Sequence, residues 1–347
     1  MTQTIENRRV AQRSPCQYWP KALRVWTTTL TSLVYLSLPL SGQVRFEKKS
    51  DRVAIRINGK PFSAFHFGKA EHKPFLHPLL TPSGKSVLRG FPVDPLPGDS
   101  TDRPHQRGVW IGAEHVSGDD FYENDPRYKE AHKGTIMFKQ VTDMTDGDDR
   151  GTLSILAEWV SHGGKVWLTE HRKMTFYSKP ANCRMFDIDI DLEANQDVTF
   201  EDQQDAIIGF RLALPFDDHY GGRVVNSKGD VNEEGARGRR AAWIDWTAEL
   251  DPKEYATSPH GHGEKIGVAV FDHPSNLNHP IRWQIKNFGN FSPNPFGEKI
   301  FEPFDKTATK SADYPMKRGD KLHLRYRILI HPEEVKAEDV FKDFSRQ

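Results

Sequence analysis

The chain has 347 residues, enough for one large domain or two ordinary ones. Lys plus Arg and Asp plus Glu are equal at 48 each, so no net field recommends nucleic acid or an anionic membrane as partner. Apolar residues make up only 36%, but they cluster into short runs that can bury a core.

Residues 1–42 read as a leader. Arg8, Arg9, Arg13, Lys21 and Arg24 precede a nearly uncharged run at 25–40, and the small residues Ser41 and Gly42 follow. This is the order of an export signal. The run contains several Thr and Ser and is short for a membrane span. Cleavage and a periplasmic or extracellular destination are therefore expected, with an uncleaved N-terminal anchor as the alternative and the only route to a membrane. Cys16 would leave with the leader, and Cys183, ahead of an alternating run, reads as a packed thiol.

From residue 43 the periodicity is that of strands. Residues 44–46 and 53–57 alternate, and Asn58-Gly59 marks a hairpin into 61–67. A short strand is expected at 75–80. The turn Thr81-Pro82-Ser83-Gly84 follows, since Pro fixes φ and Gly accepts positive φ. A loop rich in Pro, Asp and Gly leads to a strand at 109–112. Residues 134–141 and 153–160 read as an antiparallel pair, and the turn His162-Gly163-Gly164 leads into 166–176. In 185–192, Phe186, Ile188, Ile190 and Leu192 share one face, while Asp187, Asp189 and Asp191 read as a solvated face. Further strands are expected at 198–200, 207–214, 241–246, 266–272, 281–285 and 322–330. Loops are expected at 217–240 and 287–297. A short helix follows Pro332, with Val335, Val340 and Phe341 on its apolar side, and no helix is expected before it. Many short strands with short connections predict an all-β fold: a large antiparallel β-sandwich over 43–347. Two stacked sandwiches meeting near residue 195 are the alternative.

Potentially chemical side chains are densest at 73–124, which holds His77, His105, His115, Arg89, Arg103, Arg107 and Glu114. His105 and His115 flank the strand 109–113, roughly 16 Å long, so they cannot share a metal unless the chain folds back. His-x-Glu and HExxH signatures, a phosphate loop and a GxSxG elbow are missing. The His pairs at 259–262, 273–274 and 279–280 read as turn chemistry. No metal or other cofactor is expected. What remains is acid–base chemistry, because imidazole titrates near neutrality and a nearby carboxylate tunes it. His105, Glu114 and His115 are the candidate proton donors and acceptors, and Arg107 is the candidate anion clamp.

At these residues the chain resembles the bacterial PmoA-like family, also labelled methane oxygenase PmoA. The matching pieces include Lys73-Pro74-Phe75, Arg89-Gly90-Phe91-Pro92 and Pro104-His105-Gln106-Arg107-Gly108-Val109-Trp110. Others are Asn226-Ser227-Lys228-Gly229, Ala241-Ala242-Trp243-Ile244-Asp245, Phe271-Asp272-His273-Pro274-Ser275-Asn276 and Asn294-Pro295-Phe296-Gly297. The family's two adjacent histidines before Arg-Gly are His105-Gln106 here. A multi-span membrane oxygenase subunit is excluded, because the chain has no second hydrophobic segment. The resemblance implies a supersandwich similar to that of galactose mutarotases, in which a concave sheet face holds a sugar and a His with a carboxylate moves protons.

On that basis the expected partner is a small-molecule carbohydrate. The chain reads as an exported carbohydrate-processing protein of mutarotase, epimerase or lyase type, or as a non-catalytic carbohydrate-binding protein of the cell envelope. His77, Arg89, Arg107 and Arg211 are the expected ligands for substrate oxygens. Trp110, Trp243 and Phe291 are the expected stacking faces.

Overall fold

Asn58 and Gly59, at φ 53° and 75°, turn the chain between its first long strands, as the Asn-Gly signal predicts. The computed structural model describes residues 43–347 apart from 129–131, 251–262 and 312. The leader, Cys16 and the His260 and His262 pair lie outside the described residues.

The strands of the first half are β1 (Val44–Lys48), β2 (Arg52–Ile57), β3 (Lys60–His66), β4 (Phe75–Leu76), β5 (Val109–Ala113), β6 (Thr135–Thr145), β7 (Arg150–Val160), β8 (Val166–Tyr177) and β9 (Arg184–Ala194). Those of the second half are β10 (Val198–Phe200), β11 (Ala206–Arg211), β12 (Arg223–Asn226), β13 (Trp243–Leu250), β14 (Glu264–Asp272), β15 (Arg282–Lys286), β16 (Asn290–Asn294), β17 (Tyr314–Met316) and β18 (Lys321–Pro332). Two short helices are α1 (Asn232–Ala236) and α2 (Ala337–Phe344).

Strand pairing is antiparallel throughout these elements. One eight-stranded sheet runs β1-β2-β3-β4-β5-β11-β16-β15, a second runs β12-β13-β14-β18-β9-β8-β7-β6, and β10 pairs with β17. The inward residues of the two large sheets form one core, in which Val53, Ile55, Ile111 and Phe210 of the first join Leu153, Ile188, Ile190 and Ile328 of the second. Phe62 of β3 meets Phe176 and Phe186 edge-on across that interface. Burying each such side chain contributes about 1.5–3 kcal/mol. This is the all-β antiparallel sandwich that the alternation predicts.

Four local readings change. The strand expected at 75–80 is named only over Phe75–Leu76, because Pro78 has no N–H to continue a regular ladder. The loop expected at 287–297 contains β16; all five of its residues are buried, so no polar alternation announces it. The segment 217–240, read as loop, holds β12 and α1. The aspartates of β9 are not a solvated face. Asp187 is 1% exposed and accepts from Arg327 Nε at 2.7 Å, Arg327 Nη2 at 2.9 Å and the Tyr177 hydroxyl at 2.8 Å. Phe344 of α2 packs against that guanidinium. Only Asp191 keeps an exposed position, against His323 Nδ1 at 2.8 Å. Cys183 is buried beneath α2, and burial pushes its thiol up to about 11, which makes it inert.

Candidate functional site

Alternation along β5 sends Val109, Ile111 and Ala113 into the main core and Trp110 to the opposite face, where it packs with Phe75 and Tyr122 as a separate cluster. Glu114 continues the Trp110 side. The register carries that face across the sheet: Gly209 lies opposite Trp110, Arg211 opposite Asn290, Asn290 opposite Lys286, and Ser292 opposite Gln284. Cross-strand partners share a face. The outer face of this sheet is thus polar, and the loops around 89–107 and 120–134 border it.

Three adjoining hollows open there. The central one, about 220 Å3, is lined by Glu114, Asp205, Gln204, Gln284, Lys286 and Asn290, with Arg103, His105, Gln106, Tyr122, Glu123 and Phe288 completing its walls. A second, about 240 Å3, shares Phe288 and adds Arg89, Arg211, Asp99 and Asp217. A third, about 550 Å3, shares Arg103, His105 and Glu123 and adds Tyr128 and Lys133.

The central hollow carries an unusual charge arrangement. Asp205 N donates to Glu114 Oε2 at 3.2 Å, so the two acids adjoin. Burial first, and then the charge of Asp205, raises the Glu114 carboxyl above the ordinary carboxylate range, and burial raises Asp205 as well. Such a pair titrates as a unit and retains a proton to higher pH than a free carboxylate. Asp205 Oδ1, Asn290 Oδ1 and Tyr122 Oη are shielded from solvent and have no hydrogen-bond partner among the described residues. Each unsatisfied buried group costs about 1–3 kcal/mol. His105 is 2% exposed, with Nδ1 at 2.8 Å from the Tyr128 hydroxyl and Nε2 at 3.7 Å from Glu123. Burial, reinforced by Lys73 and Lys133, pushes its imidazole down to about 2, so the ring is neutral.

Several of the motif pieces hold this site in shape. Asn294 Nδ2 donates to the carbonyls of Gln203 and Gln204 at 2.7 and 2.8 Å, while its Oδ1 accepts from Phe296 N and Gly297 N. That clasp fixes the segment leading into Asp205. A Cβ on Gly297 would stand 2.6 Å from the Gln203 carbonyl oxygen, so glycine is required. Arg89 donates to the main-chain carbonyls of Ser100, Asp102, Arg103 and Gln106 at 3.0–3.2 Å and so sets the path of the bordering loop. Lys73 Nζ donates to the Tyr122 carbonyl and to Asn124 Oδ1, bracing the opposite wall. The piece from Phe271 to Asn276 serves a turn: Asn276 Nδ2 donates to Asp272 Oδ1 at 2.8 Å, and His279 Nδ1 lies 2.6 Å from Asp272 Oδ2.

The residues expected from sequence separate into groups. His105 and Glu114 meet in the central hollow, and Arg89 and Arg211 line the second. Arg211 donates to Ser100 Oγ at 2.9 Å and lies over the Phe288 ring. His115 follows Glu114 on the opposite side of the strand direction, is exposed, and lines none of these hollows. His77 is buried, with Nε2 3.3 Å from the Arg89 carbonyl oxygen. Arg107 turns away from the hollows: it pairs with Glu71 and, at 2.5 Å, with buried Asp125. Its charge is neutralised by residues 36 and 18 positions distant. Trp110 and Phe291 are fully buried and offer no stacking face; Phe291 stacks on Phe210 in the core. Trp243 lies on β13 of the other sheet, packed beside α2.

Sequence reasoning missed Asp205, Gln204, Gln284, Lys286, Phe288 and Asn290. The polar positions of 282–286 alternate with Trp283 and Ile285, which was a legible signal for one wall. Asp205 sits in the run Glu201-Asp202-Gln203-Gln204-Asp205, where nothing distinguishes it from its neighbours. Two clusters among the described residues could hold a metal: Asp119 with His132 and His162, and Asp217 with Asp218 and His219.

Comparison with known proteins places the chain as follows. A family model described as a family of unknown function (DUF6807) matches residues 52–345, and the chain belongs to that family. It is this family that matches, rather than the PmoA-like one that the motif pieces resemble. No curated protein matches the sequence. Similar solved structures include a candidate aldose 1-epimerase from Escherichia coli K12, 9% identical, with a TM-score of 0.38 over 84% of this chain and 100% of that one. A galactose 1-epimerase from Lactobacillus acidophilus NCFM is likewise 9% identical, with a TM-score of 0.37 over 84% of this chain and 98% of that one. A galactose mutarotase related enzyme from Lactobacillus acidophilus, also 9% identical, scores 0.34 over 84% and 99%.

Proposed function

We propose that this member of the DUF6807 family is an exported carbohydrate-processing protein, in which Glu114 and Asp205 move a proton on a sugar or sugar derivative as in a mutarotase, epimerase or lyase. The reading is carried by one observation: two adjoining, half-buried acids in a polar hollow where Asp205 Oδ1, Asn290 Oδ1 and Tyr122 Oη lack partners among the described residues. A protonated and an ionised acid held side by side can donate and accept in one step. Gln204, Gln284, Lys286 and Asn290 offer donors and acceptors at the spacing of strands, which suits a ring with several hydroxyls. The hollow is below the roughly 300–1,000 Å3 of drug-sized pockets, in keeping with a single small ring.

In this reading the roles expected from sequence shift. Glu114 keeps an acid–base part, and Asp205 takes the place of His115. His105, neutral and hydrogen-bonded, orients rather than titrates. Phe288, half-buried between two hollows, replaces the tryptophans as the aromatic surface. Export rests on the basic-then-apolar order of residues 1–42; N-terminal sequencing of the mature protein tests it.

The decisive experiment follows anomer and epimer interconversion by proton NMR over a panel of aldoses, ketoses and uronic acids. At least one compound should turn over. Glu114→Gln should lower kcat by about 100-fold or more while leaving ligand affinity within about threefold. Binding without turnover in the wild type would replace the enzyme by a carbohydrate-binding protein, and no binding to any sugar would end the proposal.

A further inference from the structure

We propose a second, metal-binding site outside the lining of those hollows: Asp119, His132 and His162 together bind a divalent ion of the zinc type. The three come from separate elements. Asp119 closes the tight turn after β5, where Asp119 N and Val116 N each donate to the other residue's carbonyl at 3.1 and 2.9 Å. His132 precedes β6, and His162 lies in the turn between β7 and β8. One donor atom from each lies within 4.8 Å of the others. Around an ion with bonds of about 2.0–2.2 Å, tetrahedral ligand atoms sit roughly 3.3 Å apart. Modest rotation of the two exposed imidazoles around a fixed carboxylate reaches that spacing, His162 Nδ1 moving outward from its direct contact with Asp119 Oδ1.

That carboxylate is the anchor. Asp119 is 2% exposed, its Oδ2 accepts from Trp167 Nε1 at 2.7 Å, and its Oδ1 accepts from His162 N at 3.1 Å. Outer partners of this kind orient a ligating group before the ion arrives. His162 Nδ1 already lies 2.5 Å from Asp119 Oδ1, and the His132 ring stands edge-on to His162 with centroids 4.6 Å apart. His132 is held at φ 70°, a region that non-glycine residues seldom occupy, and its carbonyl accepts from Asp120 N at 2.7 Å. The neighbouring cations are engaged elsewhere: Lys133 Nζ donates to Asp120 at 2.6 Å, and Lys165 lies over the Trp167 ring. Two imidazoles and one carboxylate are the donor set of a three-ligand zinc site with one position left open.

The placement gives the ion a task. Asp119 and His132 bracket the segment that carries Tyr122, Glu123 and Tyr128, which wall the hollows. An ion there pins both ends of that wall to the β7–β8 turn. Sequence reasoning expected no metal because it weighed the histidines at 105 and 115, the His pairs of the later turns and the standard signatures, and took His162-Gly163-Gly164 as a turn.

The test uses tag-free full-length protein stripped with a chelator and titrated with Co2+, then Zn2+. A visible ligand-field band should form with Co2+ and be lost on adding one equivalent of Zn2+. His132→Ala and His162→Ala should each weaken Zn2+ binding by at least roughly tenfold, and His219→Ala, in the other cluster, should leave it unchanged. Asp119 is buried, so its replacement risks the fold and the two exposed histidines carry the test. Absence of the band, or affinity unmoved in both histidine variants, overturns the proposal.

Discussion

Two outer sheet faces of this molecule are built from similar residues and come to opposite ends. Between β9 and β18, Asp187 is matched by Arg327, Asp189 by Arg325 and Asp191 by His323, with α2 laid over the buried end. Between β5, β11, β16 and β15, Glu114 and Asp205 adjoin without an ion pair to either among the described residues, and neighbouring polar atoms go unsatisfied. A charge that is fully paired inside the chain is explained by the fold. A charge that is crowded by its like and kept off its cations costs stability, and the chain retains it for something other than stability.

The contrast can be broken most violently on the paired side. Arg327→Met leaves the buried Asp187 with the Tyr177 hydroxyl and, as its cation, Arg325, whose Nη2 is 3.5 Å away. Chemical denaturation should show a loss of about 3–5 kcal/mol, with sugar binding intact in the folded protein. On the crowded side the sign reverses. The folded Glu114 holds its proton to higher pH than the unfolded residue does, so its contribution is favourable in acid and is lost as the pH rises from the ordinary carboxylate value through the raised one. Glu114→Gln removes that loss. It should stabilise the protein by about 2 kcal/mol at pH 9 and by little at pH 4, read as the difference in midpoint between the two variants. A variant equally destabilised at both pH values would mean that Glu114 is structural after all. The finest test is the exposed end of the ladder: Asp191→Ala should change stability by less than about 0.5 kcal/mol, although its ion pair is as short as those beneath α2.

Much of this was legible before any coordinates. Alternation placed most of the strands of both sheets, because a half-buried strand writes its burial into every second residue. It failed at β16, which is buried on both faces and so writes nothing. His105 and Glu114 could be picked out because they flank one strand, β5, inside a dense polar stretch. Arg107 was misassigned for the opposite reason: its partners Glu71 and Asp125 are brought to it by the fold, and no local pattern names them. Asp205 could not be picked from four acidic and amide neighbours, since what singles it out is the position of Asn294, about ninety residues on.

Arg89 leaves a legacy for the variation of this groove. It grips the bordering loop by carbonyl oxygens at positions 100, 102, 103 and 106, which every amino acid supplies. Part of that grip is therefore independent of side-chain identity, while the Ser100 hydroxyl and the Asp102 carboxylate add bonds of their own. Position 103, whose side chain faces two of the hollows, stands at φ 45°, so a lineage can vary that lining without rebuilding the doorway only among residues that accept a left-handed backbone, such as Asn or Gly.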